Sequence, residues 1–360
     1  MRRWRRLGGA RSASSSRHGN PKMPRSRDSG GAGWVAAGWG IAQRLAWGMG
    51  LLGALWIGAG CGAAPMEEAE VAVAPRPRLE LSGERALDEV ARLVALGRRD
   101  SGTPGAERAA NHLLARFEDL GVEAEIQEFR DPSPKGEMIF RNVIGRIPGE
   151  SDRLLMLGSH YDTKAGMPDG FEGANDSGSS TGLLLELARV LRHEAPHPME
   201  IWLVHFDGEE SLVEYGPNDG LHGSRYLART MAEDGRLERL AALILLDMVG
   251  DRDLTITIPR NSTPELVAMT FDAARAEGVR RHFQLYRASI LDDHVPFLER
   301  GVPAINLIDF QYGSAPGRNE YWHTAEDTMD KLSAESLEIV GRVARRVAEE
   351  VMRRGTIETK

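Results

Sequence analysis

An α/β sandwich, with helices packed on a largely parallel sheet, is the fold this sequence predicts. Three observations carry that expectation. Apolar runs at residues 153–157, 201–204, 241–246 and 302–308 are nearly continuous, as strands buried on both faces are. Segments with apolar residues spaced by three and four lie between these runs, so strand and helix alternate along the chain. No internal repeat and no second domain boundary is visible after residue 80.

The elements follow in order. Ser82 can cap a helix whose apolar face is Leu87, Val90, Leu93 and Val94. After a loop at 101–105, Ala109, Leu113, Leu114 and Phe117 mark a second helix, which Gly121 stops. Residues 122–129 and 138–147 alternate and read as strands, and Pro148-Gly149 closes the second. The strand at 153–157 runs into Gly158-Ser159-His160-Tyr161-Asp162. A glycine-rich loop at 173–178 leads into a helix at 181–192. Next come a strand at 201–206, a helix near 224–231, strands at 241–246 and 254–258, a helix at 264–276, a strand at 302–308 and a closing helix at 333–352.

The chain begins differently. Residues 1–60 hold ten Lys or Arg against one Asp, about +9. With a net charge of −8 overall, the remainder is about −17. A body that acidic is a poor nucleic-acid binder and has no polybasic membrane face. The one cysteine excludes an intrachain disulfide framework and a cysteine-rich zinc module. Residues 45–60 form an apolar run, short against the roughly 20 residues of a membrane span but suited to the core of a signal peptide. It ends in Ile57-Gly58-Ala59-Gly60-Cys61, which resembles a bacterial lipoprotein cleavage site, although Leu is usual where Gly58 stands. The expectation is therefore a basic leader and signal peptide at 1–60, a lipid on Cys61, a flexible tether at 61–80 and a folded body at 81–355. Lipidated, the protein would be exported and anchored at the bacterial cell envelope, touching membrane only through that N-terminus. Translation starting at Met23 would give a leader of ordinary length.

In open α/β sheets, ligands bind at the carboxyl ends of the strands. Polar residues gather at those ends here: His160 and Asp162, Glu209 and Glu210, Asp247. Asp176 in the glycine-rich loop and His323 in Trp322-His323-Thr324 complete the set. Imidazole mixed with carboxylate suits Zn²⁺ with one position open to substrate. Glu209 and Glu210 are adjacent and must point differently, so one can bind metal while the other moves protons. A second match, His193-Glu194-Ala195-Pro196-His197, has the H-E-x-x-H spacing of helical zinc sites, but Pro196 breaks the helix turn that this spacing needs. His205 alternates with core residues and reads as structural, while His112, His222 and His282 read as surface or loop residues.

His160-Tyr161-Asp162, Gly173-Ala174-Asn175-Asp176-Ser177, Phe206-Asp207-Gly208-Glu209-Glu210, Leu246-Asp247 and Trp322-His323-Thr324, in that order, resemble the zinc aminopeptidase superfamily that includes the glutaminyl-peptide cyclotransferases. The similarity spans residues 83–352. It implies one three-layer α/β/α domain with a mixed, mostly parallel central sheet. The long loop from Ser211 to His222 after the Glu pair, the Asp292-Asp293 pair and Trp322 are similar to the cyclotransferase branch. That branch implies Zn²⁺ on Asp176, Glu210 and His323, with Glu209 as general acid/base. It also implies Asp247 and Asp292 as a hydrogen-bonded acidic pair facing the substrate amide, with Trp322 and Tyr215 at the substrate. The substrate would be a peptide or protein N-terminal glutamine, closed to pyroglutamate with release of ammonia. Tyr215 and Leu291 depart from the animal enzymes, where Trp and Gln are expected, and the 309–321 loop is longer. The alternative in the same superfamily is a metalloaminopeptidase in which His160 and Asp247 hold a second zinc and Asp176 bridges.

Overall fold

A computed structural model of the chain describes residues 78–357. The expected leader, the expected lipidation site Cys61 and most of the expected tether lie outside those residues. The described tail of the tether is held to the body: Leu79 N donates to Glu194 Oε1 at 3.1 Å, and Arg345 Nη1 donates to Leu79 O at 2.9 Å.

Local chemistry sets the first helices. Ser82 Oγ accepts from Arg85 N and starts α1 (Gly83–Val94). Thr103 caps α2 (Pro104–Asp119), whose first residue is a proline that needs no N–H there. The stretch 101–105 is thus partly helix start rather than loop.

A hairpin of β1 (Glu123–Ser133) and β2 (Gly136–Ile147) forms one edge of a six-stranded sheet. The remaining strands are β3 (Leu154–His160), β4 (Glu200–Phe206), β5 (Leu240–Asp247) and β8 (Ala304–Ile308). Their order is β1-β2-β4-β3-β5-β8. The last four are parallel, and β2 joins β4 antiparallel, so the sheet is mixed and mostly parallel. A separate parallel pair joins β6 (Ile256–Ile258) to β7 (Phe283–Leu285). At three residues, β7 is too short to leave a period in the sequence.

Strand residues alternate between two cores. Leu155, Leu157, Ile244 and Leu246 face a core shared with α1, α2, α3 (Ser180–Glu194), α5 (Pro264–Ala276) and α7 (Ala334–Arg354). Met156, Val204 and Leu245 face the other side, against Leu227 of α4 (His222–Glu233) and Phe297 of α6 (Val295–Leu298). The result is three layers, α/β/α, and all described residues fall in one compact unit. Parallel packing places the carboxyl ends of β3, β4, β5 and β8 along one rim of the sheet.

Among the histidines, His205 is fully buried against Phe117, and burial pushes its imidazole down to about 3, so it is neutral core. His222 is not a surface residue. It is buried at the start of α4, stacked on Phe140, with Nδ1 2.7 Å from Asp131 Oδ2. In the H-E-x-x-H stretch, α3 ends at Glu194 and His197 Nε2 lies 2.8 Å from Leu191 O. The two histidines do not share a helix face.

Candidate active site

At the rim, β3 ends in His160 and continues to Asp162, whose carboxylate organises the neighbouring strand end. The backbone N–H groups of Glu209 and Glu210 donate to its two oxygens, at 3.2 Å each. His160 Nδ1 lies 3.4 Å from the same group. Ser101 Oγ sits between Asp162 Oδ2 (3.1 Å) and Asp207 Oδ1 (2.7 Å). Burial, then the charge of Asp162, pushes Asp207 up to about 7. Gly208 takes φ +73° between Asp207 and Glu209, which turns the chain sharply off β4 so that the two glutamates diverge.

Asp176 sits in a tight turn, Ala174–Ser179, fixed from three sides. The N–H groups of Asn175 and Asp176 donate to Asp327 at 2.7 and 3.2 Å. The fully buried Arg99 donates to Tyr161 O, Glu172 O and Gly173 O. Gly250 N donates to Asn175 Oδ1, tying the turn to the chain beyond β5. His323 takes φ 56° and stacks on Trp322, with ring centroids 4.1 Å apart.

These pieces converge. His323 Nε2 lies 2.8 Å from Glu210 Oε1 and 3.2 Å from Asp176 Oδ2. His160 Nε2 lies 3.2 Å from Asp176 Oδ1 and 3.5 Å from Asp247 Oδ1. Two triads with donor atoms within 4.8 Å of one another result, Asp176-Glu210-His323 and His160-Asp176-Asp247, sharing Asp176. Tetrahedral zinc with bonds of about 2.0 Å separates its ligands by about 3.3 Å, so the histidine-to-carboxylate separations in both triads suit such an ion. Asp247 Oδ1 is buried without a hydrogen-bond partner.

Charge and burial tune the groups. Burial alone would raise Asp176, but hydrogen bonds from His160 and His323 outweigh it and hold the carboxyl far below its usual range. Burial drives Glu209 well above the glutamate range; His160 opposes this, while Asp292 and Glu210 add to it. Burial also drives Asp292 well up, reinforced by the charges of Asp247 and Asp293. Asn306 Nδ2 and the N–H of Asp293 hold the Asp292 carboxyl, each at 2.5 Å, whereas Asp247 acts on it through charge. Two acids above their usual range beside a metal-type triad mark a site of proton transfer.

One cavity of about 140 Å³ takes in Asp176, Glu209, Glu210, Asp247, Asp292 and His323. Tyr215, Leu291, Phe310 and Trp322 are among its apolar walls. His160 lies behind it, reaching it through Asp176 and Asp247. Sequence reasoning counted Asp162 among the strand-end candidates for a metal and gave no task to Asp207, Asp327 or Lys164. Asp162 and Asp207 stood inside quoted motifs, and their strand-end position was the available signal. Lys164 Nζ lies 3.3 Å from Glu210 Oε2 and donates to Ser211 O at 2.7 Å, a long-range pairing with no local signature.

Residues 142–348 match the model of peptidase family M28. A glutaminyl-peptide cyclotransferase of Drosophila melanogaster is 30% identical over 280 residues, 71% of this chain and 77% of that protein. The crystal structure of an Acidobacteriales bacterium glutaminyl cyclase superposes with a TM-score of 0.73 at 36% identity, covering 80% of this chain and all of that one. A zinc-dependent exopeptidase from Parabacteroides distasonis superposes at 0.66 and 28% identity, covering 76% of this chain and 99% of that one.

Proposed function

The chain belongs to peptidase family M28 and groups there with the glutaminyl-peptide cyclotransferases, and from that premise we propose that it cyclises the N-terminal glutamine of peptides to pyroglutamate, with one zinc ion, releasing ammonia. The observation that carries this reading is the placement of Glu209 and Asp292 in the same cavity as the Asp176-Glu210-His323 triad. Ring closure needs a proton carrier and a group that orients the carboxamide, and the cavity holds a candidate for each. Incubating the protein with a glutamine-initiated peptide and weighing the product tests it.

A zinc ion on Asp176, Glu210 and His323 would supply Lewis acidity at the γ-carbonyl oxygen. Burial and its acidic neighbours push the Asp292 carboxyl well up, toward the protonated form that can donate a hydrogen bond to the substrate amide, and Asp247 lines the same cavity. Held this way, the substrate's own α-nitrogen lies near its carboxamide carbon, and attack is effectively unimolecular. The new bond joins the α-nitrogen to that carbon, and the bond to the amide nitrogen breaks. Glu209 takes the proton the α-nitrogen loses and returns it to the leaving nitrogen, so ammonia departs and the carboxylate is restored. Trp322, stacked on His323 and met edge-on by Phe310 at 5.1 Å, walls the pocket against water.

Glutamine at a free peptide N-terminus is the substrate this arrangement fits. Export with a lipid on Cys61 is a proposal carried by the sequence of residues 45–61 alone.

A further inference from the structure

We propose that Tyr215 is a positioning residue for Glu209, acting through its hydroxyl rather than only lining the pocket with its ring; this rests on the cyclisation reading above. The Tyr215 hydroxyl lies 3.1 Å from both Glu209 Oε1 and Oε2. A carboxylate's terminal torsion is broad and roughly two-fold. One donor centred on both oxygens narrows it, and during turnover the hydroxyl can settle on one oxygen and leave the other facing the substrate amine.

The chain after the Glu pair is built to hold that hydroxyl in place. Asp219 accepts the N–H groups of Leu212, Val213 and Glu214, at 2.6, 2.8 and 2.9 Å. Gly216 and Asp219 exchange backbone hydrogen bonds, and Arg225 Nη1 donates to Gly216 O at 2.7 Å. Leu221 N returns to Glu209 O at 2.9 Å, so the same loop grips the glutamate by its carbonyl and its carboxylate. Gly220, at φ +75°, lies flat against the Tyr215 ring, and a Cβ there would come within 2.5 Å of Cδ1. Lys164 Nζ stands 5.6 Å from the ring centroid. Burial and the charge of Glu209 push the phenol far up, so it remains a donor.

Tyr215→Phe keeps the ring and removes the hydroxyl. On a glutamine-initiated peptide, kcat should fall roughly ten- to hundredfold, the scale of a lost hydrogen bond to a charged group. KM, zinc content and melting temperature should stay near wild type. In a Glu209→Gln background, Tyr215→Phe should slow the residual reaction no further. Wild-type kcat in Tyr215→Phe, a loss confined to KM, or an equal loss in both backgrounds would overturn the proposal. Wild-type turnover in the same assay separates failure of the functional reading from failure of this one. Were the wild type to release a free amino acid instead, the same variants on that turnover would decide the role of Tyr215.

Discussion

His323 Nε2 lies 2.8 Å from Glu210 Oε1, although 113 residues separate the two in the chain. One side chain leaves the end of β4 and the other comes from a left-handed residue far downstream, and Asp176 completes the triangle. Three buried or half-buried groups of this kind, converging from separate elements, are what a resident cation requires. Glu210→Ala and His323→Ala should each lose bound zinc by metal analysis, and with it the stability that the bound ion adds. Zinc retained by either variant would remove that residue from the ligand set.

Glu209 shares the backbone anchor of Glu210 on Asp162 but not its direction. Glu209→Gln should therefore keep both zinc and fold while kcat falls by about 10²–10⁴, the contribution of general acid–base catalysis. Turnover near wild type would remove Glu209 from the proton-carrying role.

Asp327 does not line the cavity, yet it accepts the backbone N–H groups of Asn175 and Asp176 and the hydroxyl of Tyr312. Asp327→Ala leaves buried donors without partners and frees the turn that aims Asp176. Zinc affinity, measured by competition with a chelator, should weaken by about 10–100-fold. Unchanged affinity would mean that the turn holds its shape without this carboxylate.

In the metal-free chain, burial would lower the His323 imidazole, but hydrogen bonds and charge from Asp176 and Glu210 outweigh it and lift it to about 9. Because the folded value is above the unfolded one of about 6.5, the contact stabilises fully below about pH 6.5 and its contribution is lost as pH rises through about 9. Zinc must displace that proton, so apparent affinity should rise about tenfold per pH unit between those limits. Calorimetry at pH 7 in buffers of different ionisation enthalpy should show about one proton released from this group per ion. Binding without proton release would contradict the assignment of Nε2.

The sandwich, its buried strands and most of its helices were legible in the sequence, because continuous apolar runs and three–four spacings are local signals. So were Glu209, Glu210 and Asp247, since topology alone sends residues at or just beyond parallel strand ends to one rim, while Asp176 was marked by its glycine-rich loop. The roles of Asp162, Asp207 and Asp327 were not, since each acts by accepting N–H or O–H groups from residues far away in the chain. His222 was misread because nothing near it in sequence reveals its stacking on Phe140 across the hairpin. Strand β7 and helix α6 escaped because three or four residues cannot show a period. Tyr215 stood out only as a departure from relatives, and its contact with Glu209 depends on a loop closed by Asp219 and Gly220.

The most direct measurement follows the mass of a glutamine-initiated peptide incubated with the zinc-loaded protein. Loss of ammonia from an otherwise intact peptide is the predicted result. A shortened peptide with a free amino acid released would contradict it, and would give the same residues to an aminopeptidase.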